Sequence, residues 1–253
     1  MKEILLSAKD VCKSFANNGE QNHVLNHISL ELYQGDFTII MGASGSGKST
    51  LLYCLSGMDN LTSGEVFYKG QRISGCKEKK MAHLRAKEFG FVFQQIHLVS
   101  NLTLLENVTV PGFLEKKKSA GAVKERALKL LEQMNVLPVK NRLPAQVSGG
   151  EAQRAAMARA VIAEPGLLFA DEPTGALNRR NTEDVLDLMT RMSQEGQSIL
   201  MVTHDVRAAL RADRLLYLED GKICGEMKLP PYKPEEARNR ETQINAWLSS
   251  MEW

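Results

Sequence analysis

Gly42-Ala43-Ser44-Gly45-Ser46-Gly47-Lys48-Ser49-Thr50 follows the apolar run Phe37–Met41 and leads into residues 51–55, which have helical spacing. This strand, loop and helix together fit the G-x-x-x-x-G-K-[ST] pattern in the context that pattern requires. Its glycines let backbone N–H groups converge on phosphate oxygens, and the helix that follows adds its positive N-terminal end. Lys48 can reach β- and γ-phosphates, and Ser49 can place a hydroxyl on Mg2+. A merely flexible Gly/Ser turn would need neither the lysine nor the flanking elements, so the stretch reads as a nucleotide loop.

Short apolar runs recur at Phe89–Phe93, 167–170, Ser198–Val202 and 214–218. Continuous apolar strands are what a parallel sheet covered on both faces requires. Between them lie helical periods. Residues 123–134 place Val123, Ala127, Leu130, Leu131 and Met134 on one stripe, with Glu125 and Lys129 opposite. Residues 181–192 do the same with Val185, Leu188, Met189 and Met192, behind Asn181 as the expected cap. Strand and helix alternate, and the fold class is α/β. Residues 98–145 carry few strand signals and read as a helical insert. Residues 230–253 restart as a helix near Pro234, with Ala237, Ile244, Trp247, Leu248 and Met251 on one face, to be buried on its own domain or on a partner.

Composition fits this reading. The 253 residues carry 32 Lys+Arg against 30 Asp+Glu, a net charge of +2, and are 43% hydrophobic and 25% charged, which argues against disorder, collagen and a disulfide scaffold. Near-balanced charge gives no reason to expect nucleic acid as a partner, and the clusters at residues 77–80 and Lys116-Lys117-Lys118 read as solvated loops. No apolar run approaches the roughly 18–20 residues that cross a bilayer, and Ile4-Leu5-Leu6 is too short for a signal peptide. Cys12, Cys54, Cys76 and Cys224 have neither zinc-site nor disulfide spacing, as expected of reduced thiols in cytosol.

Two further pieces carry chemistry. Leu167-Leu168-Phe169-Ala170-Asp171-Glu172 is a buried strand ending in paired acids, of which the first can hold the Mg2+ shell and the second orient or deprotonate water. Ser148-Gly149-Gly150, ahead of the helical residues 151–162, offers a second anion site at a helix end. One chain does not need two such sites for one triphosphate.

With Val147-Ser148-Gly149-Gly150-Glu151 the chain resembles the ATP-binding subunit of ABC transporters, whose signature is Leu-Ser-Gly-Gly-Gln. The resemblance covers nearly the whole chain. It implies a P-loop NTPase core with a mainly parallel sheet, an N-terminal antiparallel β part and a helical subdomain near residues 95–160, within an ATP-binding domain of residues 1–229 and ahead of a tail of residues 230–253. It matches Gln94 to the Q-loop, Asp171 and Glu172 to the Walker B pair, Ala176-Leu177-Asn178 to the D-loop, and His204 to the switch histidine. Phe15 stands where the family stacks an aromatic on adenine, worth on the order of 1–3 kcal/mol by analogy with base stacking. By the same resemblance, Gly42, Ala43, Ser44, Gly45, Ser46, Gly47, Lys48, Ser49 and Thr50 hold ATP, while Ser49, Gln94 and Asp171 attend Mg2+. Glu172 is the general base, His204 and Gln94 sense the γ-phosphate, and Ser148, Gly149 and Gly150 close over the ATP of a second copy.

Two positions depart from the family pattern. Asn178 replaces the usual Asp, which keeps hydrogen bonding but loses charge, and Glu151 adds a negative charge at a helix start, where it is locally favourable. The runs Phe91-Val92-Phe93-Gln94-Gln95 and 102–108 look most like the subgroup that releases lipoproteins, exports macrolides or resists bacitracin. Its permease partners are FtsX-like, which implies a place at the cytoplasmic face of the cell membrane, and one motif of every kind in the chain points to a homodimer. Other classes fit less well. DNA-directed ABC ATPases need a long coiled coil, translation-factor types carry two such domains, and kinases or GTPases leave Ser148-Gly149-Gly150 without a task. A soluble P-loop ATPase without a permease is the alternative.

Overall fold

The structure, a computed structural model, describes residues 2–17, 20–114 and 119–251; Lys116-Lys117-Lys118, Glu252 and Trp253 lie outside the described residues. In chain order the elements are β1 (Ile4–Asn17), β2 (Glu20–Tyr33), β3 (Phe37–Met41), α1 (Lys48–Leu55), β4 (Ser63–Tyr68), β5 (Gln71–Arg72), α2 (Glu78–Glu88) and β6 (Phe89–Phe93). There follow α3 (Leu104–Gly112), α4 (Ala120–Gln133), α5 (Gly149–Val161), β7 (Leu167–Asp171) and α6 (Arg179–Gln194), then β8 (Ser198–Val202), α7 (Val206–Ala209), β9 (Arg214–Glu219), β10 (Lys222–Lys228) and α8 (Ala237–Ser249). Two compact units emerge, Met1–Met81 with Met192–Trp253, and Ala82–Arg191.

In the first unit, β3 lies between β8 and β9 and parallel to both, while β10 pairs antiparallel with β9. The uninterrupted apolar runs have their cause here, since every residue of β3 and β8 is buried. β10, with one face outward, alternates instead. A separate antiparallel sheet has the order β2-β1-β4-β5. Its two long strands escape pattern reading because β1 slips register against β2 at four places. Asp10 and His27 adopt left-handed φ of 53° and 51° at these irregularities, and Asp10 Oδ1 lies 2.7 Å from His27 Nδ1. Such bulges break the period of two on which a strand is recognised.

The tail docks on its own unit. Ile244 and Leu248 of α8 are buried, and Trp247 meets Tyr217 of β9 edge to face at 6.5 Å. Arg240, also buried, donates to the carbonyl oxygens of Pro230 and Ala212. Of the two alternatives for this helix, burial on its own domain is the one observed.

The second unit pairs β6 with β7 in parallel, Phe93 opposite Asp171, and clusters α3, α4 and α5. Capping sets the helix starts. Thr103 and Glu106 form a reciprocal capping box on α3, Ser119 caps α4, and Ser148 with Glu151 caps α5. One expectation is corrected: α6 is capped by Asn178, not Asn181, because Asn178 Oδ1 accepts from the Asn181 N–H at 3.0 Å and the helix starts at Arg179. Both Asn residues suit a cap, and only the backbone conformation selects between them. All four cysteines are free thiols. Burial pushes the Cys54 thiol up to about 12, which makes it inert. Among the described residues no helix is long and apolar enough to cross a membrane.

Candidate functional site

The loop after β3 is built tightly. Gly47 caps α1 with φ 102°, a left-handed geometry that disfavours any side chain, and Gly45 turns with φ 85°. A Cβ on Gly42 would overlap the Leu218 carbonyl of β9, so the loop's entry is pressed against the sheet. Lys48 is 7% exposed, and its Nζ donates to the Gly42 and Ala43 carbonyl oxygens at 2.7 and 2.8 Å, arching over the loop. Ser46 Oγ is buried with no hydrogen-bond partner. Ala43, Ser44 and Gly45 are exposed, and a Cβ on Gly45 would meet nothing within 4 Å. An anion at this turn would satisfy the Ser46 hydroxyl and face the first N–H groups of α1, among them those of Ser49 and Thr50.

Elsewhere in this unit, Phe15 on β1 is 44% exposed, and the Lys13 ammonium sits 4.6 Å from its ring centre. Lys13 is held in turn by Asp59 Oδ1 at 2.7 Å and the Asn60 carbonyl at 2.8 Å. His204 is exposed just beyond β8, the parallel neighbour of β3. Its turn is braced on both sides. The buried Thr203 donates its N–H to the Ile40 carbonyl at 3.2 Å, while its Oγ1 accepts from Asp205 N–H, and Asp205 caps α7.

In the second unit, Gln94 and Glu172 follow directly on the register partners Phe93 and Asp171, at the carboxyl ends of two parallel strands. Open α/β sheets bind ligands at that edge. Asp171 is buried, and Glu172 has φ 45°, a rare conformation for a residue with a side chain. Gln94 lies beside the D-loop, since a Cβ on Gly175 would be 3.0 Å from its Nε2.

The signature segment divides into two parts with different causes. A Cβ on Gly150 would overlap the Asn181 side chain, so packing of α5 against the start of α6 accounts for that glycine. Gly149 is exposed, a Cβ there would meet Leu177 Cδ2 no closer than 3.9 Å, and packing does not account for it. Ser148 is exposed too, and its Oγ donates to Glu151 Oε2 at 2.7 Å, while Ser148 N–H reaches the same oxygen at 2.8 Å. These bonds, the backbone one first, hold the Glu151 carboxyl below its ordinary range. The added charge at this helix start is therefore accommodated locally.

The donor set suits a Mg2+ that takes most of its ligands from phosphate and water. Among the described residues no three or more His, Cys, Asp or Glu gather as an all-protein metal site, and a phosphate-bound Mg2+ needs only one or two protein oxygens, of the kind a hydroxyl or a carboxylate offers. One residue escaped sequence reading. Gln153 of α5 is buried and hydrogen-bonded to the backbone on either side of the Gln94 and Glu172 loops. The only signal for it was an amide on the apolar stripe that continues through Ala156 and Met157.

Comparison with known proteins matches residues 25–175 to the ABC transporter family. MJ0796, a bacterial ABC transporter cassette solved as a dimer, is 35% identical with a TM-score of 0.84, over 90% of this chain and 100% of that one. Its dimeric post-hydrolysis state bound to ADP and Pi is 34% identical, again with a TM-score of 0.84 and the same coverage. CbiO1 from Clostridium perfringens, part of the cbiONQ transporter complex, shares the fold at 24% identity and a TM-score of 0.81, over 97% of this chain and 94% of that one. The chain belongs to the ABC transporter family as an ATP-binding cassette, and it is an ATPase.

Proposed function

We propose that two copies of this chain close head to tail around two Mg2+-ATP molecules and drive an FtsX-like permease from the cytoplasmic face of the cell membrane. The observation that carries this is the capped start of α5. Ser148 and Gly149 are turned to solvent, and the packing of their own chain gives Gly149 no task. In this reading they complete the phosphate site of the opposite copy, which makes ATP the link between them.

Each copy then holds its own nucleotide with Phe15 against adenine and residues 42–50 around the phosphates. Ser49, Asp171 and Gln94 would hold Mg2+, which would supply neutralisation of the phosphate charge. Glu172 takes the proton of the attacking water, and His204 and Gln94 read the γ-phosphate. Cleavage turns attraction at that position into repulsion, and the copies part. Residues 1–229 form the ATP-binding domain, and the insert within residues 95–160 receives the permease. Val110, Phe113 and Leu114, exposed at the end of α3, offer apolar surface for that contact. The subgroup likeness points to antimicrobial-peptide or antibiotic resistance, or to lipoprotein or macrolide export.

Sedimentation velocity tests the assembly. With ADP the chain is expected to run as a monomer, and with a non-hydrolysable ATP analogue as a dimer. A monomer under both conditions refutes the reading, and recovery of the dimeric chain from membranes without any polytopic partner favours the soluble ATPase.

Asn178 offers a milder test. Asn and Asp are equivalent as helix caps, so Asn178→Asp leaves α6 intact and changes only the charge within the D-loop. It is expected to raise the ATPase rate of the assembled complex by about fivefold, the low end of coupling between sites. A steady-state assay showing an equal or lower rate counts against a role for that charge.

A further inference from the structure

We propose that Gln153 is a positioning residue, tying the signature helix to the two loops that carry Gln94 and Glu172. It stands in α5, one turn beyond Ser148-Gly149-Gly150, and is 1% exposed. Its Nε2 donates to the Pro173 carbonyl at 2.7 Å and to the Phe93 carbonyl at 3.1 Å. Phe93 immediately precedes Gln94, and Pro173 immediately follows Glu172. Both neighbours are acceptors, so the amino end of the amide must face them, and both of its protons are used.

Core packing does not explain this residue. Its Oε1 is buried without a hydrogen-bond partner, so the fold carries the cost of a half-satisfied amide at this position. What the amide accomplishes is a three-way junction. The strands β6 and β7 end side by side, and the peptides just past their ends are clipped to one side chain of a third element. The left-handed backbone of Glu172 needs such support from its surroundings to persist. Since α5 is continuous from its cap at Ser148 through Gln153, a shift at Ser148 when a second copy docks would be carried one turn along to Gln153, and from there to the carbonyls flanking both loops. Gln153 thereby makes the placement of Gln94 and Glu172 depend on occupancy of the signature. This inference rests on the roles proposed above for those three segments.

The test uses the full chain with two substitutions. Gln153→Met keeps the length and removes both donors, and Gln153→Glu keeps the shape and sets a carboxylate oxygen against two carbonyls. Turnover and KM for Mg2+-ATP are measured at least 15 °C below each variant's unfolding midpoint, alongside analogue-induced dimerisation. The expected result in both is a fall in kcat of about tenfold to a hundredfold, as misplacement of a reacting group produces, with KM and dimer formation near wild type. Wild-type kcat in either variant overturns the proposal, as does a loss that appears in KM or dimerisation instead of kcat. Glu172→Gln, run in parallel, separates the two levels. Undiminished hydrolysis there means the site reading itself has failed, whereas its loss beside normal Gln153 variants rejects only the positioning role.

Discussion

Glu172→Gln is expected to stop turnover and leave the protein as an ATP-bound dimer. The side chain follows the buried strand β7, and its backbone sits at φ 45°. Gln has the same shape and fills the same space, so neither the strand nor the cap of α6 is disturbed. What disappears is the ability to take a proton from water, a contribution of about 10²–10⁴ in rate for a positioned general base. The groups proposed to bind nucleotide, residues 42–50 with Phe15 and the signature of the opposite copy, are untouched. The contacts made to ATP thus persist without the step that ends them. Hydrolysis falls by at least about a hundredfold, and sizing chromatography in Mg2+-ATP shows a dimer holding one ATP per chain, which chelating the metal dissolves. Monomer with ATP bound, in the presence of the permease, contradicts the clamp, and hydrolysis within tenfold of wild type removes Glu172 from the chemistry.

How much of this was legible in the sequence depends on whether the cause was local. β3, β6 and β8 have the bounds their apolar runs indicate, because a strand covered on both faces needs no periodicity to reveal it. The phosphate loop was legible because its spacing of glycines encodes its own backbone, left-handed at Gly45 and Gly47. The cause at Gly42 is not local: the carbonyl that forbids a side chain there belongs to Leu218, far along the chain. The same holds for β1, whose register slips hide its alternation, and for Asn178, which outcompetes Asn181 as a cap only because the chain turns where it does. Gln153 marks the limit. Its partners are backbone carbonyls, which every residue possesses, so no residue type elsewhere in the chain announces them.

The difference between Gly149 and Gly150 makes possible a test that separates assembly from folding. Gly150→Asp would drive a side chain into Asn181, and any loss of function would be confounded with damage to the start of α5 and α6. The Cβ of Gly149→Asp would come no nearer than 3.9 Å to Leu177 Cδ2, and an acid in the first turn of a helix is locally favourable. The single chain is therefore expected to fold as wild type does and to bind nucleotide with the same Kd, because residues 42–50 and Phe15 are unchanged. In the assembled state the new carboxylate would point at the γ-phosphate of the opposite copy. Like charges brought together in this way cost several kcal/mol, and about 1.4 kcal/mol is tenfold in an equilibrium. With two such meetings in each dimer, association in the non-hydrolysable analogue weakens by well over about a hundredfold, and hydrolysis falls with it. Sedimentation velocity and nucleotide titration on the same sample read the two quantities separately. Retained dimer with normal nucleotide affinity would mean that the start of α5 does not face the neighbour's triphosphate, whereas lost nucleotide affinity in the monomer would mean that it serves the chain's own site instead.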